Sequence, residues 1–170
     1  MLYGLKESGR EKWVREIFMN KGIDKMKINF KKLNEKAITP TYGTEFSAGA
    51  DLYACEGGEI TIQPGETKLI HTGLSLEIPE GYAGLIYARS GIATKRGLAP
   101  ANKVGVIDSD YRGEIMVSLF NHSAVSQTIA DRERVAQLVI TPFLKVEYNE
   151  TKELSDTQRG EGGFGSTGKK

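Results

Sequence analysis

From Lys27 onward the chain is a succession of short alternating apolar runs, each stopped by glycine or proline. Glu59–Gln63 leads into a Pro64-Gly65 turn, and Thr67–His71 resumes the pattern. Leu74–Ile78 alternates cleanly up to Pro79-Glu80-Gly81. Tyr82–Tyr87, Val104–Ile107, Ile115–Phe120, Arg134–Ile140 and Leu144–Tyr148 complete the set. Period-2 alternation over such short runs specifies half-buried strands. Only Ser90–Arg96 reads as a short internal helix. Many short strands at this spacing argue for an all-β sandwich or barrel.

The ends of the chain depart from that pattern. Ser8-Gly9-Arg10-Glu11 is a capping box, Trp13, Val14, Ile17 and Phe18 follow at helical spacing, and Gly22 is placed to end the helix. Residues 1–25 are therefore expected to be a helical extension. Met26 reads equally well as the start of a protein. After Tyr148 the chain turns polar, then glycine-rich from Gly160 to Gly168, so residues 151–170 are expected to be a mobile tail behind a core of residues 26–150. Gly160–Gly165 fits G-x-G-x-x-G, but that pattern holds phosphate on a following helix, and none is expected before Lys170. The tail can still wrap amides, Arg159, Ser166 and Thr167 around phosphate once a ligand orders it.

Composition narrows the chemistry. A net charge of +1 gives no general pull toward nucleic acid or membrane. One cysteine, Cys55, cannot form an internal disulfide, and with only two histidines the common zinc patterns are excluded. A metal would have to be a hard cation held by oxygen. Lys6, Glu7, Arg10 and Glu11 interrupt any signal-peptide core, and a cytoplasmic location is expected.

Between two of the predicted strands lies Asp108-Ser109-Asp110-Tyr111-Arg112-Gly113, read as the connection of a β-hairpin. Asp, Ser and Gly are ordinary turn residues. Tyr111 is not, and Asp108 directly follows an apolar strand that would hold its carboxylate rigidly. Arg89-Ser90-Gly91 opens the internal helix, where free amides, a hydroxyl and a guanidinium suit an anion; an ordinary serine cap explains it equally well. Asp51, among small residues, fits either a turn or a metal's water shell. Gln137 interrupts an apolar strand and needs a partner, structural or ligand.

Taken together and in order, these blocks resemble a known family. Ala48–Leu52, Arg89–Gly91, Gly105–Gly113, Arg134–Leu138 and Arg159–Gly168 resemble the five motifs of the trimeric deoxyuridine triphosphatases. The resemblance covers roughly residues 26–169 and leaves out the N-terminal helix. It implies a jelly-roll or distorted β-barrel protomer in a homotrimer with shared active sites, hydrolysing dUTP to dUMP and diphosphate with Mg²⁺. By that resemblance Asp108 activates the water and touches the sugar 3′-hydroxyl, and Tyr111 packs under the deoxyribose. Asn102, Val106 and Ile107 read the uracil, with Met116 nearby. Arg89, Ser90, Gly91 and Gln137 bind phosphates, and Asp51 meets Mg²⁺ through water. Arg159, Phe164, Gly165, Ser166 and Thr167 close over the substrate. The nearest rival, a dCTP deaminase, is expected to carry a fuller Arg-Ser-Ser motif and a glutamate before the position of Asp108. A non-catalytic nucleotide-sensing relative would not need Asp108, Asp51 and the tail together.

Overall fold

Glycine, proline and period-2 alternation do cut the chain into short strands. The computed structural model describes residues 26–163, so the expected N-terminal helix and Phe164, Gly165, Ser166 and Thr167 lie outside the described residues. In order these are β1 (Asn29–Lys32), β2 (Thr41–Tyr42), β3 (Ala50–Tyr53), β4 (Ile60–Ile62), β5 (Thr67–His71), β6 (Leu74–Glu77) and β7 (Tyr82–Tyr87). Helix α1 (Ser90–Arg96) follows, then β8 (Leu98–Pro100), β9 (Gly105–Ile107), β10 (Met116–Asn121), β11 (Gln127–Ile129) and β12 (Arg134–Pro142). The largest sheet runs β2-β3-β12-β7-β9 and is packed with smaller sheets β5-β10-β8, β1-β6 and β11-β4, all antiparallel. The result is a distorted barrel of jelly-roll type, as expected.

Alternation sets which face is buried. Along β10, Val117, Leu119 and Asn121 are buried while Met116, Ser118 and Phe120 are only partly so. Leu52, Ile70, Leu98, Ile129 and Val135 join Val117 and Leu119 in one core. Each fully buried side chain of this size contributes about 1.5–3 kcal/mol. The buried Asn121 amide is fully paired. Its Nδ2 donates to the carbonyls of Ile62 (2.9 Å) and Val125 (2.8 Å), and its Oδ1 accepts from the Ser123 amide and hydroxyl.

Three expectations need correction. The Asp108–Gly113 segment does not connect a hairpin: β9 pairs with β7, whereas β10 pairs with β5 and β8. Alternation marks a strand but not its partner, and both strands find better edges elsewhere. Ser90 does not cap α1. Arg89 holds the cap position in extended conformation with no side-chain cap bond, and Ser90 is the first helical residue. Leu144–Tyr148 forms no strand and pairs with none of the described strands; Leu144 and Tyr148 are 84% and 93% exposed. Among the described residues, no helix is long and apolar enough to cross a membrane.

Candidate active site

The segment between β9 and β10 crosses from one sheet to another, and its side chains wall a pocket of about 310 Å³. Asn102, Val106, Ile107, Asp108, Tyr111 and Met116 all line it, so six of the residues singled out from the sequence meet in one place. Leu69, Ile86 and Pro100 supply apolar wall from three other strands. A concave, mostly apolar pocket with a few convergent polar groups suits a small ligand.

Local bonds fix this loop. The Tyr111 amide donates to the Asp108 carbonyl (3.2 Å), and Arg112 Nη1 donates to the carbonyls of Ser109 (2.7 Å) and Tyr111 (3.0 Å). The Tyr111 ring lies where any side chain at position 113 would stand: a Cβ there would come within 2.5 Å of the Tyr111 Cζ. A side chain at position 113 would have to displace the Tyr111 ring. Among the described residues no protein donor is directed at the Asp108 carboxylate, which is exposed at the pocket wall and free to hold a water.

A second cluster lies at the far end of β7. Asp51 is buried and its Oδ1 accepts from Arg89 Nε (2.7 Å), its Oδ2 from Arg134 Nη1 (3.2 Å). Gln137 Nε2 stands 3.5 Å from Asp51 Oδ1, across the β12–β3 ladder. The amide expected to need a partner therefore finds a structural one. Asp51 sets the guanidinium of Arg89, at the mouth of α1, beside Gln137. Asp51→Asn leaves two arginines against a neutral amide. It should lower the unfolding free energy by about 1–3 kcal/mol, less than for a fully buried pair because Arg134 is half open to solvent. Denaturant midpoints at unchanged slope would measure this.

The two clusters are far apart within one chain. Ile107 pairs with Gly84, whereas Arg89 lies five residues further along and beyond the end of β7. At about 3.3 Å per residue this separates them by roughly 16 Å. Ser90 and Gly91 lie with Arg89 and do not line the pocket. Arg159 is in neither cluster; its Nε donates to the Gly162 carbonyl (2.8 Å) in an exposed turn.

Glu114 is the ionisable pocket residue that the sequence did not single out. Its Oε1 accepts from the Gly73 amide (2.8 Å) and its Oε2 is 2.9 Å from His71 Nδ1, so neither oxygen is free for acid–base work on a ligand. Sequence offers no signal for it beyond a carboxylate at a strand start. Cys55 is no nucleophile: partial burial first, then the carboxylates of Asp131, Glu114 and Glu56, push its thiol up and keep it protonated. Among the described residues, no group of three or more His, Cys, Asp or Glu side chains is placed to hold a metal ion.

Comparison with known proteins shows the family. A family model described as dUTPase matches residues 35–168. The deoxyuridine 5'-triphosphate nucleotidohydrolase of Nautilia profundicola is 54% identical over 144 residues, covering 85% of this chain and all of the relative. That of a Hydrogenobaculum species is 51% identical over 145 residues, with the same coverage. Among solved structures, the dUTPase of Staphylococcus bacteriophage 80alpha with dUPNHPP matches at a TM-score of 0.77 and 30% identity, over 84% of this chain and 98% of that one. A variant of the dUTPase from phage phi11 of S. aureus, described as revealing coordination of a structural Mg(II) ion, matches at a TM-score of 0.68 and 25% identity, over 75% and 98%.

Proposed function

The chain belongs to the dUTPase family, and from that premise we propose that it hydrolyses dUTP to dUMP and diphosphate in the Asp108–Tyr111 pocket. The observation that carries the reading is the convergence of Asn102, Val106, Ile107, Asp108, Tyr111 and Met116 on one wall. Asn102 and the β9 main chain hold the uracil edge, with Met116 against the base. Tyr111, braced over Gly113, packs under the deoxyribose and leaves no room for a 2′-hydroxyl. The unpaired Asp108 carboxylate takes the proton of the water that attacks the α-phosphorus and accepts from the sugar 3′-hydroxyl. Arg89, Ser90, Gly91 and Gln137 hold the phosphates, and Arg159, Phe164, Gly165, Ser166 and Thr167 close over them.

Mg²⁺ fits this donor set as a visitor rather than a resident. One buried carboxylate, Asp51, stands among the phosphate-binding residues, which suits an ion that arrives with the triphosphate and keeps several waters. When bound, the ion offsets triphosphate charge that would otherwise repel the nucleophile. Asp51 would meet it through water while holding Arg89 in place.

The separation of the clusters supports a homotrimer. With the α-phosphorus beside Asp108, the remaining phosphates extend by only two P–O–P links, well short of Arg89 of the same chain. A neighbouring copy that brings its own Arg89 and Gln137 to this pocket resolves the mismatch. The bare apolar side chains of Leu144, Val146, Tyr148 and Leu154 are suited to covering by that copy.

Incubation with Mg²⁺ and dUTP, dCTP or UTP tests the reading. Diphosphate and dUMP should form from dUTP alone; ammonia from dCTP would favour the deaminase instead. Sugar and base selection should separate: Tyr111→Ala should relax discrimination against UTP by roughly 10–100-fold, with little change against dCTP. Equal relaxation of both, or of neither, would remove Tyr111 as the sugar gate.

A further inference from the structure

The Glu114 carboxylate links the pocket to a histidine outside it. Glu114 follows the Tyr111-Arg112-Gly113 turn, and its own main-chain carbonyl accepts the Tyr111 hydroxyl at 3.0 Å. Its side chain reaches the other way, to the Gly73 amide at 2.8 Å and to His71 Nδ1 at 2.9 Å. The same β5–β6 turn grips the neighbouring backbone. Thr72 Oγ1 donates to the Ile115 carbonyl (2.5 Å), and the Ile115 amide donates to the Leu74 carbonyl (2.7 Å). Ser75 Oγ donates to the Arg112 carbonyl (2.7 Å). The turn itself cannot shift easily. Gly73 has φ of +67°, and a Cβ there would come within 2.9 Å of the Ala37 Cβ. Side-chain exposure falls from 50% at His71 to 22% at Glu114, so the contact runs from solvent into the pocket wall.

We propose that His71 and Glu114 are a positioning pair that sets the orientation of Tyr111 in the pocket, and that the charge on His71 tightens or loosens that setting. The proposal rests on the reading of Tyr111 as the deoxyribose contact. Neither residue touches the reacting atoms. Glu114 passes its position on through its own peptide, because the Tyr111 hydroxyl is bonded to that carbonyl. Two carboxylates face His71: Glu114 across from β5, and Glu56, whose Oε1 accepts the His71 amide (2.6 Å). The facing position on β10 is the uncharged Met116. The Glu114 hydrogen bond is the main cause holding the His71 pKa above its ordinary value, opposed by partial burial and aided by the charges of Glu114 and Glu56. With the folded pKa raised, the brace is at full strength below the ordinary histidine range. It weakens as pH rises through the folded value. The neutral ring still donates from Nδ1 in one tautomer, so the weakening is partial.

Two conservative variants of the full-length chain test this. Glu114→Gln keeps an oxygen for the Gly73 amide but loses the charge facing His71. His71→Gln keeps a polar side chain that does not titrate. Each should raise KM for dUTP by roughly 2–5-fold, the range a partly exposed ion pair supports, with kcat nearly unchanged. The KM of the wild type should rise with pH through the histidine range, and that rise should be missing from His71→Gln measured on the same substrate. A readout independent of turnover is the ¹⁹F resonance of 3-fluorotyrosine at position 111, assigned by its loss in Tyr111→Phe. It should shift with pH in the wild type and stay flat in both Gln variants. If the wild type failed to hydrolyse dUTP, the functional reading would fall while this resonance still judged the brace. A Tyr111 resonance blind to both substitutions, or kcat and KM falling together in folded variants, would overturn the proposal.

Discussion

Asp108→Asn should lower kcat for dUTP by about 10²–10⁴-fold, the usual worth of a positioned general base. Asparagine has the same shape and still accepts a hydrogen bond, but it cannot take the proton of the attacking water. The substitution should also leave the loop intact. The Asp108 bond that supports the turn comes from its main-chain carbonyl to the Tyr111 amide, not from its carboxylate. Affinity for a non-hydrolysable dUTP analogue should therefore survive. Single-turnover measurements would separate this loss of chemistry from a loss of binding. Turnover near normal in the variant would mean that another group activates the water, and the pocket as described offers no second free carboxylate: Glu114 is engaged at both oxygens.

What the sequence made legible follows from what alternation and turn chemistry encode. Thr67–His71, Tyr82–Tyr87 and the helix at Ser90–Arg96 are found where the sequence places them. Each is bounded by a local signal: glycine or proline at strand ends, and at the helix end a left-handed Gly97. Pairing is not local. The run before Asp108 and the run after Gly113 look like two arms of a hairpin because they are adjacent in sequence. In the fold each gives its edge to a distant strand. Leu144–Tyr148 has the alternation of a strand but pairs with no strand of the described chain, and alternation alone cannot reveal that.

The site divides in the same way. Asp108 and Tyr111 stand out because an apolar strand delivers one and a loop exposes the other. Asp51, Arg89 and Gln137 are scattered in sequence, and only the β3–β12–β7 ladder reveals that Arg89 and Gln137 both donate to Asp51. The carboxylate considered for a metal's water shell is thereby also the anchor of Arg89. Glu114 was hidden for a simpler reason. Nothing in Arg112-Gly113-Glu114-Ile115 tells that its side chain turns back to Gly73 and His71, forty-odd positions earlier.

Two inactive variants should restore each other's activity when they share a trimer. One carries Asp108→Asn with an intact tail; the other keeps Asp108 but ends before Arg159. As homotrimers both lack a needed part at every site. If Arg89 binds the phosphates, the described geometry supports sharing: Asp108 follows Ile107, the partner of Gly84, so it lies six residues, roughly 20 Å, from Arg89 along β7. The tail is expected to follow the same logic, because Arg159 sits in an exposed turn and in neither cluster. If a site takes Asp108 from one chain and the tail from another, a mixed trimer assembles a complete site wherever an intact Asp108 meets a neighbour's intact tail. Mixing must go through co-expression or joint refolding, because a packed symmetric trimer exchanges subunits slowly. With random assembly, a substantial fraction of the sites should recover, and dUTP hydrolysis should rise far above the sum of the separate variants. Two different affinity tags, purified in sequence, isolate the mixed species, so that recovery is counted only on trimers holding both chains. No recovery in that fraction would mean that Asp108 and the tail act within one chain, and the reading of a site shared in this way would fall.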